Sequence, residues 1–275
     1  MNRRAPPPVA GIIPVAHTSM TLARLGFGVA RIAGGPERSA SIRLIETALR
    51  AGICHFDTAP SYGDGESEQI LGEVLRGVSG ITVTTKFGIA RPKVKGRPSL
   101  PRRLYRQVGR PVLGMLPQFK ARLLAISSRK GDETSRFAIK RPIVRDELLC
   151  SLEESSALLG RAPDIFLIHE PDQFILDDSV TGILNELQAQ GLFRAWGTGC
   201  GAQCVSGPGQ IAQGLWAPGQ VQSGQTHIYH GVLRSDPNRP AAERLRLALS
   251  QAPGSAFLFS ASTQKQITSL VSALA

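Results

Sequence analysis

The strongest constraint on this chain is an alternation. Short apolar runs of strand length recur along it, each followed by a segment with apolar residues at helical spacing. LARLGFGVARIAGG reads as a first strand ending in a Gly-rich turn. It leads into SASIRLIETALRAG, apolar at Ile42, Ile45, Ala48 and Leu49 and stopped by Gly52. ICHFD precedes the helix SEQILGEVLRG, and ITVTTK forms a third strand. RDELLCSLEESSALLG is a strongly amphipathic helix before DIFLIHE, and SVTGILNELQAQGLF is the helix before RAWGTG. QVQSG reads as strand six and HIYHGVL as strand seven. AAERLRLALSQAPGS then precedes the last strand, AFLFSAS, and STQKQITSLVSALA closes as a helix. Such alternation implies parallel strands joined by helical crossovers, an α/β fold. Close to eight strands in 275 residues, with no GxGxxG after the first, favours a (β/α)8 TIM barrel over an open dinucleotide-binding sheet. The expected organisation is one barrel domain over 1–275. It carries a long basic insertion at about 92–142 after strand three and a shortened stretch between strands six and eight.

Strand ends carry the polar residues that matter. In HFDTAPSYGDGESEQILG, Asp57 closes a strand and Tyr62 sits in the loop that follows. The third strand delivers Lys86 and the fourth delivers His169. Side chains alternate along a strand, so Ile53, His55 and Asp57 share one face. Thr82, Thr84 and Lys86 share another, as do Ile165, Leu167 and His169. If the terminal polar residues line the barrel mouth, Phe56, Val83, Phe166 and Ile168 pack outward against helices. An Asp, a Tyr, a Lys and a His at one mouth form a proton-transfer set. A tyrosine is a weak acid, a nearby ammonium favours its phenolate, and a carboxylate holds that ammonium in place. A histidine beside them can orient a carbonyl oxygen. The set suits giving a proton to an oxygen that gains charge as hydride reaches carbon. No side chain supplies a hydride, so the chemistry calls for a nicotinamide cofactor.

The net charge of +11 is unevenly spread, because Arg91–Arg145 holds 16 Lys/Arg against Asp132 and Glu133. Cys54 and Cys150 fall in a predicted strand and a predicted helix and read as core. Cys200 and Cys204, at C-x3-C with no second pair, make a poor zinc signature, and no metal is expected. Four cysteines suit a reduced, cytoplasmic protein. No apolar run reaches the roughly 20 residues of a membrane span. The N-terminus, with its three consecutive prolines, reads as a lead-in to the first strands rather than a signal peptide.

Taken together, these motifs resemble the aldo-keto reductase family. HFDTAPSYGDGESEQILGEVL resembles its first signature, and TVTTKFG its lysine strand. SLEESSALLGRAPDIFLIHEPD resembles its histidine strand with the preceding helix, and LNELQAQGLFRAWGTG the next helix and strand. The resemblance implies a (β/α)8 barrel that binds extended NAD(P)H. It makes Tyr62 the general acid/base, Lys86 and Asp57 the residues that tune it, and His169 the group that orients the substrate carbonyl. It also places Asp57, Gly199, Cys200, Gln220, Ser260, Ser262, Thr263, Lys265 and Gln266 at the cofactor. Gly199 and Cys200 stand where the family usually has Ser-Asn. Gln220 matches the family glutamine of strand six, and Tyr229 is the candidate for an aromatic stacked under the nicotinamide. Lys265 could meet a 2′-phosphate, so NADPH is expected, with NADH as the alternative.

The expected function is reduction of an aldehyde or ketone, or oxidation of an alcohol or sugar in reverse, on a small-molecule carbonyl substrate. The competing reading is a non-catalytic scaffold or cofactor sensor on the same fold, and a third is a protein recruited to a membrane through its basic insertion. For that insertion three readings stand. It can be a cover over the barrel mouth, an amphipathic element on an anionic membrane surface, or a patch that attracts acidic partners. No motif indicates specific nucleic-acid binding.

Overall fold

The computed structural model describes residues 3–32, 34, 37–91, 142–171, 176–203, 207–219 and 224–274. The basic insertion expected at 92–142 lies, apart from Pro142, outside the described residues, as do Cys204 and Gln220.

Eight parallel strands close into a barrel in chain order. They are β1 Leu25–Gly28, β2 His55–Asp57, β3 Thr82–Phe87 and β4 Ile165–His169, then β5 Ala195–Gln203, β6 Ile211–Leu215, β7 Thr226–His230 and β8 Ala256–Phe259. Helices α1 Arg38–Arg50, α2 Ser67–Leu75, α3 Arg145–Leu159 and α4 Asp178–Ala189 follow the first four strands, and α5 Ala241–Gln251 and α6 Gln264–Ser272 follow the last two. Local signals set their ends. Asp177 caps α4 by accepting from the Val180 amide at 2.9 Å, and Gly160 ends α3 with φ 67°, a conformation that costs glycine little.

Strand six is therefore IAQGL; QVQSG follows it in the chain and, apart from Gly224, lies outside the described residues. IAQGL has no clean alternation, whereas QVQSG sets one apolar residue between two polar ones and so mimics an alternating strand. The expected shortening falls on residues 216–225 between β6 and β7, and the connection 204–210 between β5 and β6 is short as well. Among the described residues neither carries a helix.

Alternation along the strands sorts the two sides of the barrel wall. Phe56 and Val83 pack outward with Ile45, Ile70, Leu71 and Val74 of α1 and α2. Phe166 and Ile168 pack outward with Leu148, Leu152 and Leu184 of α3 and α4. Tyr229 also faces outward, against Trp216 and Phe257, with ring centroids 4.9 Å and 5.6 Å away. It is 1% exposed and does not reach the mouth, so it is not the aromatic expected beneath a nicotinamide. Cys54 is buried, but Cys150 lies exposed on α3, contrary to its reading as core.

The N-terminal lead-in has a specific job. Ile12–Pro14 and Thr21–Ala23 pair as an antiparallel hairpin. Its Ile13, Val15, Met20 and Leu22 join Ile165, Leu167, Ala195, Ile211, Ile228, Ala256 and Leu258 in one apolar cluster. Those partners are the inward residues of the barrel, so the hairpin plugs its N-terminal end. Among the described residues, no helix is long and apolar enough to cross a membrane.

Candidate active site

The opposite end of the barrel is polar. Asp57 and Lys86 are 3% and 1% exposed, and Lys86 Nζ donates to Asp57 Oδ1 at 2.6 Å and to the Thr58 carbonyl at 2.9 Å. Burying both charges is costly unless they stay together, so each fixes the other. Burial acts to lower the Lys86 pKa, but Asp57 and Tyr62 more than offset it, and the net direction is upward. The ammonium stays charged.

Tyr62 opens a 3-10 turn, Tyr62–Gly65, ahead of α2. Its ring lies beneath the ammonium, with Lys86 Nζ 4.8 Å from the ring centroid. Gly63 makes the turn feasible: its φ is 59°, and a Cβ there would stand 2.2 Å from the Ile32 carbonyl. Ser67 Oγ donates to Val29 and Ile32 carbonyls and ties the turn to the loop after β1. Glu68, fully buried, accepts from Thr85 Oγ1 at 2.6 Å and pairs with Arg91, which also donates to the Gly65 carbonyl at 2.5 Å. Burial pushes the Tyr62 phenol up, Lys86 pulls it down, and Asp57 and Glu170 push it up again, so the net direction is upward. At neutral pH Tyr62 is a protonated phenol ready to donate.

His169, at the end of β4, meets Tyr62 edge to face, with centroids 6.0 Å apart and an interplanar angle of 85°. Burial, helped by the Lys86 charge, lowers its pKa to about 3. The ring is neutral across the physiological range and can donate or accept a single hydrogen bond. Glu170 follows it with φ 54°, unusual outside glycine. Its amide donates to the Gly199 carbonyl at 2.7 Å and its carboxylate accepts from the Gly201 amide at 2.9 Å, which holds the ends of β4 and β5 together.

These groups line one cavity of about 430 Å³, bounded by Gly28, Arg31, Gly199, Cys200, Gly201, Gln213, His230, Gly231 and Ser260, among others. All four expected proton-transfer residues thus converge: Asp57, Tyr62 and His169 line the cavity, and Lys86 lies directly behind them. Gly199, Cys200 and Ser260 face it as well, Ser260 with its hydroxyl donated to the Gly28 carbonyl at 2.7 Å. Four glycines on its walls leave room for a flat ring.

Ser262, Thr263, Lys265 and Gln266 lie further out, at the N-terminus of α6. There Thr263 and Gln266 form a capping box, and the Ser262 and Thr263 amides donate to Gln266 Oε1 at 2.8 and 3.2 Å.

Two further residues reach the mouth: Gln213, the glutamine of the strand six that the structure shows, where the sequence reading places Gln220, and His230, which has no expected role. Gln213 of β6 donates through Nε2 to Asp57 Oδ2 at 2.7 Å. His230, the last residue of β7, lies 2.8 Å through Nε2 from the Cys200 carbonyl, and burial lowers its pKa. The strand-end rule that picks out His169 picks out His230 too, once β7 is read as THIYH. Gln213 was hidden by the misplaced sixth strand.

Three comparisons bear on this arrangement. Residues 24–201 match the profile of the Aldo/keto reductase family. An NADH-specific methylglyoxal reductase of Escherichia coli is 29% identical over 197 residues, covering 67% of this chain and 50% of that protein. A D-threo-aldose 1-dehydrogenase of a Pseudomonas species is 28% identical over 195 residues, covering 67% of this chain and 52% of its own length. The chain thus spans about half the length of the curated relatives it matches. Among solved structures, an aldo-keto reductase from Pseudomonas aeruginosa superposes with a TM-score of 0.66 at 17% identity, over 96% of this chain and 93% of the other. The glycerol dehydrogenase of Gluconobacter oxydans gives 0.64 at 16% identity, over 97% and 90%. With the profile spanning β1 to β5 and the whole barrel superposing on solved relatives, the chain belongs to the aldo/keto reductase family.

Proposed function

We propose that this protein is a nicotinamide-dependent oxidoreductase that reduces a small aldehyde or ketone, with Tyr62 as the proton donor. The observation that carries the reading is the buried Asp57–Lys86 pair with its ammonium 4.8 Å from the Tyr62 ring and His169 across from it. The cofactor, when bound, supplies the hydride. Gly199 and Cys200 would hold its nicotinamide end, and Ser260, Ser262, Thr263, Lys265 and Gln266 its adenosine phosphate end. Neutral His169 holds the substrate carbonyl oxygen by a hydrogen bond. Tyr62 gives its phenolic proton to that oxygen as negative charge develops there. Lys86 stabilises the phenolate left behind, and Asp57 keeps Lys86 in place. Exposed Lys265, beside the α6 N-terminus, supports NADPH; the name of the Escherichia coli relative supports NADH.

Titration of the purified protein with NADPH and NADH, followed by cofactor fluorescence, is the first test. Binding in the low micromolar range supports the reading and decides the preference. No binding of either cofactor overturns it in favour of a non-catalytic scaffold. Methylglyoxal and simple aldoses, suggested by the relatives' names, are the first substrates to try. Tyr62→Phe is expected to lower turnover by about a thousandfold while leaving cofactor affinity nearly unchanged.

A further inference from the structure

We propose that Gln213 is a positioning residue for the proton donor: its amide fixes the Asp57 carboxylate that holds the Lys86 ammonium beside Tyr62. The inference rests on reading Tyr62 as that donor.

The geometry is specific. Asp57 presents one carboxylate oxygen to Lys86 at 2.6 Å and the other to Gln213 at 2.7 Å. Both partners are almost wholly buried. A carboxylate accepts hydrogen bonds only, so the Gln213 amide must face it with Nε2. Its Oε1 then turns toward Gly199. A Cβ at Gly199 would lie 3.2 Å from Gln213 Oε1 and 3.3 Å from Leu167 Cδ1, so any side chain there would press on the amide by a few tenths of an ångström. The bare Gly199 and the inward Gln213 are thus two parts of one arrangement. It spans the barrel from β6 to β2, β3 and the Tyr62 turn.

Without the Gln213 donor, one buried oxygen of Asp57 has no partner. The carboxylate then draws more completely on the Lys86 ammonium. Less of that positive charge is left for the phenolate of Tyr62, so the phenol keeps its proton to higher pH.

The test needs neither substrate nor cofactor. The chain has three tyrosines, so 3-fluorotyrosine labelling gives three fluorine resonances, and Tyr62→Phe assigns one of them. The more acidic fluorophenol keeps its titration within the range where the fold holds, which circular dichroism monitors. In Gln213→Leu the Tyr62 midpoint is expected to move upward by about half a pH unit or more, with the other two tyrosines unchanged. Gln213→Met, closer in shape, guards against a packing defect and should move it the same way. An unmoved Tyr62 midpoint in both folded variants overturns the proposal. A moved midpoint supports it even if the protein binds no nicotinamide, in which case only the oxidoreductase reading falls.

Discussion

The two ends of the barrel obey opposite rules. At the N-terminal end, Ile13, Val15, Met20 and Leu22 of the hairpin pack into one apolar cluster with inward residues of the barrel. At the C-terminal end barrel strands carry Asp57, Lys86, His169 and His230, with Lys86 paired to Asp57, His169 edge to face with Tyr62 and His230 against the Cys200 carbonyl. The first end pays for the second: packing supplies the stability that buried charge consumes. The contrast separates residues that hold the barrel closed from those proposed to do chemistry, and it can be broken experimentally from either side.

Lys86→Met should have the largest effect. It strands the Asp57 carboxylate, so a loss of about 3–5 kcal/mol in urea unfolding is expected. Steady-state kinetics should show turnover down by about a thousandfold. Unchanged turnover would mean that the mouth is not where the chemistry lies. Leu22→Ala at the sealed end should cost about 2–5 kcal/mol of stability by opening a cavity. Its turnover per folded molecule should match that of the parent. A selective loss of turnover would show that the ends are not separable.

Acid should weaken the protein through its inner histidines. Burial lowers His55 to about 4 and His169 to about 3, both below the ordinary 6.5. The unfolded chain takes up protons that the folded barrel refuses, so stability is present above about pH 6.5 and is lost as pH falls toward 4. Each such histidine contributes a slope of up to about 1.4 kcal/mol per pH unit. Urea midpoints measured between pH 7 and 5, above most carboxylate titration, should fall steadily. His55→Leu should flatten part of that slope, and a flat profile in the parent would mean that water reaches these rings. The smallest effect is expected of Asp177→Ala. It removes the cap of α4 and costs about 1 kcal/mol in the same assay, with turnover intact.

Much of the fold was legible before any coordinates. The order of strands and helices follows from periodicity, because a strand inside a barrel wall must alternate and a crossover helix must carry an apolar stripe. Asp57, Lys86 and His169 could be found because they are polar residues ending apolar strands. Two places misled. QVQSG mimics strand alternation while IAQGL lacks it, and only closure of the barrel selects the second. THIYH has an aromatic and a histidine side by side, and parity relative to the barrel axis decides that His230 faces the cavity while Tyr229 packs outside. The hairpin plug was illegible because its apolar residues carry no periodicity of their own. They become core only when β4 to β8 surround them.

The sequence alone determined the α/β alternation, the four candidate proton-transfer residues at or just past strand ends and the family to which the chain belongs. These rest on local patterns whose meaning does not depend on distant residues. Only the tertiary structure decided that Gln213 meets Asp57, that Gly199 makes room for it and that Glu68 and Arg91 brace the Tyr62 turn. Gln213 and Asp57 lie 156 positions apart in the chain. Such contacts are set by barrel closure and register, which bring side chains within hydrogen-bonding distance with no trace in their local sequence.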